Sequence, residues 1–311
     1  MTKLSDKIKM AMDESRMLIL GTQILLGFQY RAFFEKGFEG IPRVSQYLKL
    51  TGLAVLLLAV ALIMWPSAYH RIVWKGNDAE DVHKFATTVM DVALLPLAIA
   101  LTLDFYVLTA RVLGVGGGIL TAAVIGATAL LFWFGYGFIA RTRKHRRRSR
   151  PGENSKEVQE DEGMAKTLIH NKVGQVLTEA RVVLPGALAL LGFQFATILL
   201  EAFDKLPLSS KYVHLISLAL MAVSVIFLMT PAAYHRIVER GEETEHFHSV
   251  ASRLLLASMI TFPVGICGDL FVVMRKVTGA VRLSLAAGLI ALALFYGLWF
   301  GFTIYRRRAQ A

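Results

Sequence analysis

The sequence predicts an all-α membrane protein whose eight transmembrane helices form two parallel four-helix repeats. Its composition, the length of its apolar blocks and an internal repeat predict this fold. The 311 residues are 55% hydrophobic and 18% charged, with a mean hydropathy of +0.53. Soluble domains carry about a quarter charged residues. The composition therefore excludes a soluble cytosolic enzyme, and Cys267, the single cysteine, excludes a secreted disulfide scaffold.

The apolar residues fall into eight blocks that polar stretches separate. A helix needs about 20 apolar residues to cross the hydrocarbon core of a bilayer. Blocks of this length also exclude an outer-membrane barrel, whose strands are shorter and alternate apolar with polar residues. The predicted spans are Met17–Phe34, Leu48–Trp65, Phe85–Val112, Gly116–Ala140, Val182–Leu200, Val213–Met229, Val250–Val273 and Leu283–Tyr305.

The basic residues predict the orientation. With eight spans both termini lie on one side, and that side carries 24 of the 34 Lys and Arg residues. Basic loops stay in the cytoplasm. We therefore expect an inner (plasma) membrane protein with both termini cytoplasmic, and we assign the net charge of +11 to the membrane rather than to a nucleic-acid partner.

A shift of 165 residues superimposes the two halves of the chain. The longest match places Pro66–Val73 on Pro231–Val238, and Gly27–Gln29 falls on Gly192–Gln194. Units with an even number of spans insert in the same orientation, so a pseudo-two-fold axis along the membrane normal would relate them. The pattern predicts a tandem duplication of a four-helix unit that once formed a homodimer.

The repeat divides the chain into five segments. These are an amphipathic cytoplasmic segment (1–16), a first unit (17–140), a cytoplasmic linker (141–178), a second unit (179–305) and a cytoplasmic tail (306–311). We expect residues 2–13 and the end of the linker, Lys166–Thr178, to form short helices on the membrane surface. The basic run Arg141–Arg150 is expected to contact anionic lipid.

Charged side chains recur at the cytoplasmic ends of the first two helices of each unit. They are Glu14, Arg16, His70 and Arg71 in the first unit, and Glu179, Arg181, His235 and Arg236 in the second. A histidine beside a carboxylate is suited to a pH-responsive gate. A helix-end clamp, in which Glu neutralises a snorkelling Arg, explains the same residues.

Asp104 and Asp269 lie within the third span of each unit. A carboxylate inside a membrane needs a partner in the bundle interior. Gln29 and Gln194 reach a similar depth and are candidate partners, and Arg31 is a further one for Asp104. The aspartates and glutamines are candidates for an ion or proton pathway, and a polar clamp between helices is the alternative.

The small residues have a packing role. Gly21, Gly27, Gly186 and Gly192 are expected to let helices approach closely, and Gly116–Gly118 to form an outer turn. The sequence lacks a nucleophile–base motif, a zinc-protease motif and a nucleotide loop. We therefore predict no enzymatic activity, no catalytic residues, no cofactor and no metal site.

The motifs resemble an uncharacterised bacterial family of short four-helix integral membrane proteins, which are often labelled automatically as sodium:proton antiporters. The matching residues in each unit are the Glu-x-Arg pair, the Gly-Phe-Gln triplet, the Tyr-His-Arg triplet and the late aspartate. Two fused units in one chain depart from this pattern. The resemblance implies that the short relatives dimerise and that the paired motifs belong to one type of unit.

These observations favour a membrane transport protein with a cation or proton pathway between its two units. The alternative is a non-transporting scaffold or regulator that binds a partner or anionic lipid through its basic segments. A homo-oligomer is compatible with either function.

Overall fold

The computed structural model describes residues 4–135, 159–239 and 242–309, and these ranges contain helices and no β-strand. The helices are α1 (Leu4–Ala32), α2 (Lys36–Glu39), α3 (Arg43–Ile72), α4 (Glu80–Leu130), α5 (Gln159–Thr197), α6 (Glu201–Asp204), α7 (Leu208–Ile237), α8 (Glu245–Thr278), α9 (Val281–Tyr296) and α10 (Thr303–Ala309). Leu131–Gly135 and Gly297–Phe302 are π-helical. The basic run Arg141–Arg150 lies outside the described residues.

Six helical segments of the described chain are long and apolar enough to cross a membrane. They are Arg43–Ile72, Glu80–Gly135, Ile169–Thr197, Leu208–Ile237, Glu245–Thr278 and Val281–Arg308. These segments indicate a multi-pass membrane protein, and the prediction of an all-α membrane fold is confirmed at this level.

The segment Glu80–Gly135 is a helical hairpin. A straight helix of its 56 residues would be about 84 Å long, far more than a bilayer is thick. The helix breaks at Gly114, whose φ of 75° suits a residue without a Cβ atom. The second arm then packs back on the first, and the Oγ1 atoms of Thr109 and Thr121 lie 2.5 Å apart. The turn is thus at Gly114, and the prediction of a turn at Gly116–Gly118 is wrong because these residues are helical.

Helix boundaries recur at the interval of 165 residues. Adding 165 to the bounds of α3, which are Arg43 and Ile72, gives those of α7, Leu208 and Ile237. Both helices follow a proline (Pro42 and Pro207), which cannot donate a backbone hydrogen bond and fits the start of a helix. The short helices α2 and α6 recur at the same interval.

The main core includes residues of α1, α3, α4, α5 and α7, and α1 packs against α5 within it. A Cβ atom on Gly21 would lie 2.5 Å from Cδ1 of Leu188, and one on Gly192 would lie 3.0 Å from Cδ2 of Phe28. These two glycines therefore allow the close approach. The same expectation is wrong for Gly27 and Gly186, which are exposed and have nothing within 4 Å of an added Cβ atom.

Residues 8–12 of α1 and residues 169–177 of α5 belong to the bundle rather than to separate surface helices. Ile8 and Met12 pack with Val82, and Val173 packs with Phe247, in two small buried clusters. Each segment continues without interruption into its long helix. The prediction of short surface helices is wrong because the apolar side of each segment already has a protein partner.

Candidate functional site

A closed polar triad is buried in the first unit. Gln29 near the end of α1, Lys49 in α3 and Asp104 in the first arm of α4 are between 0 and 3% exposed. The Lys49 ammonium donates to Asp104 Oδ1 at 2.5 Å and also to Gln29 Oε1. Gln29 Nε2 donates to the other carboxylate oxygen, Oδ2. Each member therefore bonds to both others, and the Lys49 ammonium neutralises the Asp104 carboxylate.

The second unit helps to cover this triad. The ring centroid of Phe195, on α5, lies 5.8 Å from Lys49 Nζ, within the range of a cation–π contact. Phe195 also meets Phe105 edge-on, with ring centroids 5.3 Å apart. Gly52 lies beside Asp104, and a Cβ atom there would be 3.8 Å from Oδ1. The triad is thus shielded by both units.

A related triad lies in the second unit. Gln194 Nε2 donates to Asp269 Oδ2 at 2.5 Å, as Gln29 does to Asp104. His214 takes the position of Lys49, with its Nδ1 2.9 Å from Asp269 Oδ1. Its other ring nitrogen, Nε2, lies 3.1 Å from the backbone oxygen of Gln194. The second site thus pairs its carboxylate with an imidazole rather than with an ammonium.

The two sites differ in accessibility and in hydrogen bonding. The Asp269 side chain is 29% exposed, whereas that of Asp104 is 4% exposed. Gln29 Oε1 accepts a hydrogen bond from Lys49. Gln194 Oε1 is buried and has no hydrogen-bond partner within the described ranges. The first site is therefore closed and saturated, and the second is open and has an unused acceptor.

The structure brings both aspartates to their candidate glutamine partners. The proposed pairing of Asp104 with Arg31 is wrong, because Arg31 is bonded instead to Glu35 at 3.0 Å. Sequence reasoning missed Lys49 and His214. They occupy equivalent positions in the repeat, but their residue types differ, so a search for identical residues passes over them. The signal was an ionisable residue at the same repeat position in both halves.

A second ionic cluster joins the units at the end of the bundle where α1 begins. The Arg236 guanidinium contacts Glu14 Oε1, and its Nε lies 2.6 Å from Asp91 Oδ1. The Arg236 side chain is 3% exposed, so its charge depends on these carboxylates for compensation. Asp91 was not among the predicted site residues because the second half has Leu256 at that position.

The other charged residues predicted at the cytoplasmic ends of the helices do not all meet in this cluster. Arg181 donates to the Met10 carbonyl at 3.2 Å, and His235 is buried against the Phe247 ring; both line a pocket with Glu14 and Arg236. The remaining members do not join this cluster: Arg16 pairs with Asp13, Arg71 is exposed, His70 is half-buried and Glu179 accepts from Gln175. Of the eight residues, the structure brings Glu14 and Arg236 into direct contact.

Polar contacts also join the units at the opposite end. Lys36 Nζ lies 3.1 Å from Glu201, and the Arg111 guanidinium binds both carboxylate oxygens of Asp204, at 2.8 and 2.9 Å. The Glu201 carboxylate accepts hydrogen bonds from Lys205 and Lys36, which lower its pKa to about 2. In the parts of the chain that the structure describes, no three His, Cys, Asp or Glu side chains gather as metal ligands.

A family model matches the chain twice, at residues 2–137 and at residues 165–303, and is described as a family of unknown function (DUF6328). The chain belongs to this family. The two matched segments are consistent with a two-unit architecture. No curated protein and no solved structure matches the chain significantly.

Proposed function

We propose that the chain is an inner-membrane transport protein that moves a cation in a proton-linked manner, by a pathway at the interface of its two units. Its eight spans would be α1, α3, the two arms of the hairpin, α5, α7, α8 and the segment that begins at Val281. Two observations support this count beyond the six long segments. The hairpin turns at Gly114, and α1 packs along α5 in the main core.

The distribution of charge supports the orientation that we propose. The side that holds both termini carries 24 of the 34 basic residues, as expected for the cytoplasmic side. The recurrence of helix boundaries after 165 residues and the double family match support two parallel repeats. In this arrangement the glutamine–aspartate sites lie towards the outer side.

The observation that carries the proposal is the pair of carboxylate sites, one buried and one partly exposed, within the helical bundle. Ionisable side chains within a membrane are expensive and commonly mark ion or proton pathways. A clamp between helices needs only neutral hydrogen bonds. Here each site keeps a carboxylate together with a second ionisable group, Lys49 or His214. A carboxylate together with a second ionisable group favours an ion or proton pathway over a clamp that only holds helices together.

The test is flux in liposomes that contain the purified protein. Lumenal pH is followed while gradients of Na⁺ or K⁺ are imposed. We expect a cation-dependent pH change that is lost in a variant combining Asp269→Asn, Lys49→Met and Asp104→Asn. Removing Lys49 together with Asp104 avoids a stranded buried charge. Asp78→Asn, which neutralises an exposed carboxylate, is the matched control and should leave flux intact.

The outcomes of this experiment separate the two functions considered. Flux that is unchanged in the combined variant would contradict the assignment of the two sites. No flux from folded wild-type protein would contradict transport and favour a scaffold or regulator. That alternative would then be tested by crosslinking a partner and asking whether neutralising Arg141–Arg150 abolishes its recovery.

A further inference from the structure

A cavity opens between the two units at the end of the bundle where α1 begins. Its volume is about 570 Å³, and its wall includes Lys7 from α1, Lys84 from α4 and Arg236 from α7. Lys7, His83, Thr87 and Arg236 also line a narrow pocket that continues the cavity towards α5. The narrow pocket has a volume of about 10 Å³, which is room for one group of the size of a water molecule.

Two nitrogen atoms at the narrow pocket lack an acceptor. His235 packs against the Phe247 ring and is 6% exposed, and its Nε2 has no hydrogen-bond partner within the described ranges. Arg181 donates from Nη2 to the Met10 carbonyl at 3.2 Å, but its buried Nε has no partner in the same ranges. A guanidinium Nε always carries a proton, and a neutral imidazole can carry its proton on Nε2. The pocket therefore offers two N–H donors to one acceptor.

The carboxylates around this pocket are bonded to other residues. Glu14 lines the pocket, but Glu14 and Asp91 both form ion pairs with Arg236. Asp13 lies within electrostatic range of Arg181 and forms an ion pair of its own with another arginine. In the part of the chain that the structure describes, no carboxylate oxygen lies within 4 Å of the Arg181 guanidinium. Arg181 is thus a largely buried cation without a directly bonded counter-ion.

The first unit supplies the counter-ion that the second lacks. Arg16, the repeat equivalent of Arg181, is bonded to Asp13 at 2.8 Å. The equivalent of Asp13 in the second unit is Thr178, whose hydroxyl donates to the backbone oxygen of Gly174 at 2.8 Å. A carboxylate has therefore been replaced by a neutral side chain beside the more buried of the two arginines. An anion from outside the chain can take its place.

The other acidic residues of the first unit have no available equivalents either. Asp6 and Asp78 line a cavity of the first unit together with Asp13. Asn171, which is neutral, stands at the position equivalent to Asp6. Glu243 is equivalent to Asp78, and it is bonded to an imidazole at 2.7 Å. The repeat comparison thus identifies no further counter-ion for the arginine of the second unit.

The donors around the cavity select the class of anion. Guanidinium and imidazole N–H groups bind oxyanions, and a charged donor makes such hydrogen bonds stronger. Lys84 pairs with Glu80, but their side chains are 67% and 70% exposed, so this pair contributes little and the ammonium is available to a ligand. A phosphate group carries a charge of about −1.5 to −2 and three acceptor oxygens near neutral pH. It can therefore bond to the narrow pocket and to the wider cavity at the same time.

We propose that this cleft binds a phosphate group, either inorganic phosphate or the phosphate monoester of a lipid headgroup. One oxygen enters the narrow pocket and accepts hydrogen bonds from Arg181 Nε and His235 Nε2, and the other oxygens lie in the wider cavity near Lys84. The site is separate from the aspartate sites, because Glu14 and Gln29 are 15 residues apart on α1, or about 22 Å by helical rise. It goes beyond the proposed function and does not depend on it.

Isothermal titration calorimetry tests the site. Purified full-length protein in dodecylmaltoside, a detergent without phosphate, is titrated with sodium phosphate and, separately, with dihexanoyl phosphatidic acid, a soluble lipid with a phosphate monoester headgroup. Sodium chloride at matched ionic strength is the control titrant. We expect one phosphate site per chain. Tighter binding of the phosphatidic acid would identify a lipid headgroup as the source, and equal affinities would identify free phosphate.

Arg181→Gln and His235→Phe are the decisive variants. Each removes one donor of the narrow pocket, and phenylalanine keeps an aromatic ring against Phe247. Each should raise the Kd for phosphate by roughly tenfold or more. The matched controls are Arg16→Gln and His70→Phe, which change the equivalent residues of the first unit and should leave the Kd unchanged.

Thr178→Asp is a further variant that copies the first unit. Residues three positions apart are neighbours on a helix, so the new carboxylate should pair with Arg181 as Asp13 pairs with Arg16. The chain would then supply its own counter-ion, and phosphate binding should weaken. Thr178 is exposed, so this substitution should leave the protein folded.

The outcomes separate this inference from the proposed function. No phosphate binding by folded wild-type protein, or an equal rise in Kd in the decisive variants and in their controls, would overturn the site. Heats from sodium chloride that equal those from sodium phosphate would overturn the assignment to phosphate. Phosphate binding without flux in liposomes would support the site and contradict transport, and flux without phosphate binding would do the reverse.

Discussion

Removal of the Lys49 ammonium should strongly destabilise the protein. Lys49→Met would leave the Asp104 carboxylate, 4% exposed, without its counter-ion. At the observed 2.5 Å separation, the attraction amounts to about 7 kcal/mol for an effective dielectric constant of about 20. Desolvation of the two ions offsets much of this attraction. Breaking a buried pair from one side therefore lowers the free energy of unfolding by about 3–5 kcal/mol.

The same reasoning predicts recovery in a double variant. Lys49→Met combined with Asp104→Leu removes both charges, and such replacements are often neutral or stabilising. Cys267 supplies the assay, because the single cysteine is buried and reacts with a fluorogenic thiol dye when the protein unfolds. The single variant should melt roughly 6–20 °C below the wild type, and the double variant much closer to it. Two results would refute this account. One is a single variant with the melting temperature of the wild type, and the other is a double variant whose melting temperature is no higher than that of the single variant.

Three further predictions concern stability, and the first two use the same melting assay. Arg236→Met removes the counter-ion of the buried Glu14 carboxylate and of the partly exposed Asp91 carboxylate, and it should cost about 3–5 kcal/mol. Arg71→Met, at the exposed equivalent position, should change stability by less than about 0.5 kcal/mol. Gly37→Ala places a methyl group against a guanidinium and a backbone oxygen and should cost about 1–3 kcal/mol, whereas Gly27→Ala meets nothing within 4 Å and should be tolerated. The Glu201 carboxylate has its pKa lowered from 4.5 to about 2, so its stabilisation is present above pH 4.5 and is lost as the pH falls through 2. The melting difference between wild type and Glu201→Gln, followed by the fluorescence of the four tryptophans, should vanish across that range. Equal melting temperatures for Arg236→Met and Arg71→Met, or for Gly37→Ala and Gly27→Ala, would contradict the first two predictions. A melting difference that persists at about pH 2 would contradict the prediction for Glu201.

The sequence predicted the helical membrane fold because long apolar blocks admit few other structures. It also placed Asp104 and Asp269 at the depth of their glutamine partners, because helical rise converts residue number into depth. The predicted surface helices were wrong for a different reason. An amphipathic segment presents the same pattern whether its apolar side meets lipid or protein. The choice depends on the partner, here Val82 for the first segment and Phe247 for the second.

The partners of the aspartates could be predicted only in part. Lys49 lies next to the start of the predicted span Leu48–Trp65, where lysines usually snorkel to the surface. The helix in fact begins at Arg43, one to two turns earlier, so the Lys49 side chain lies inside the bundle. The cluster around Arg236 could not be predicted, because it joins residues of both units and one of its carboxylates does not recur in the repeat.

The most direct test of the proposed function is a comparison in liposomes of wild-type protein with the variant that combines Asp269→Asn, Lys49→Met and Asp104→Asn. An outward or inward Na⁺ or K⁺ gradient is imposed, and lumenal pH is recorded with the amount of folded protein matched between samples. The proposal predicts a cation-driven pH change of opposite sign for opposite gradients in the wild type, and none in the combined variant. An equal pH change in both proteins, or none in the wild type, would contradict it.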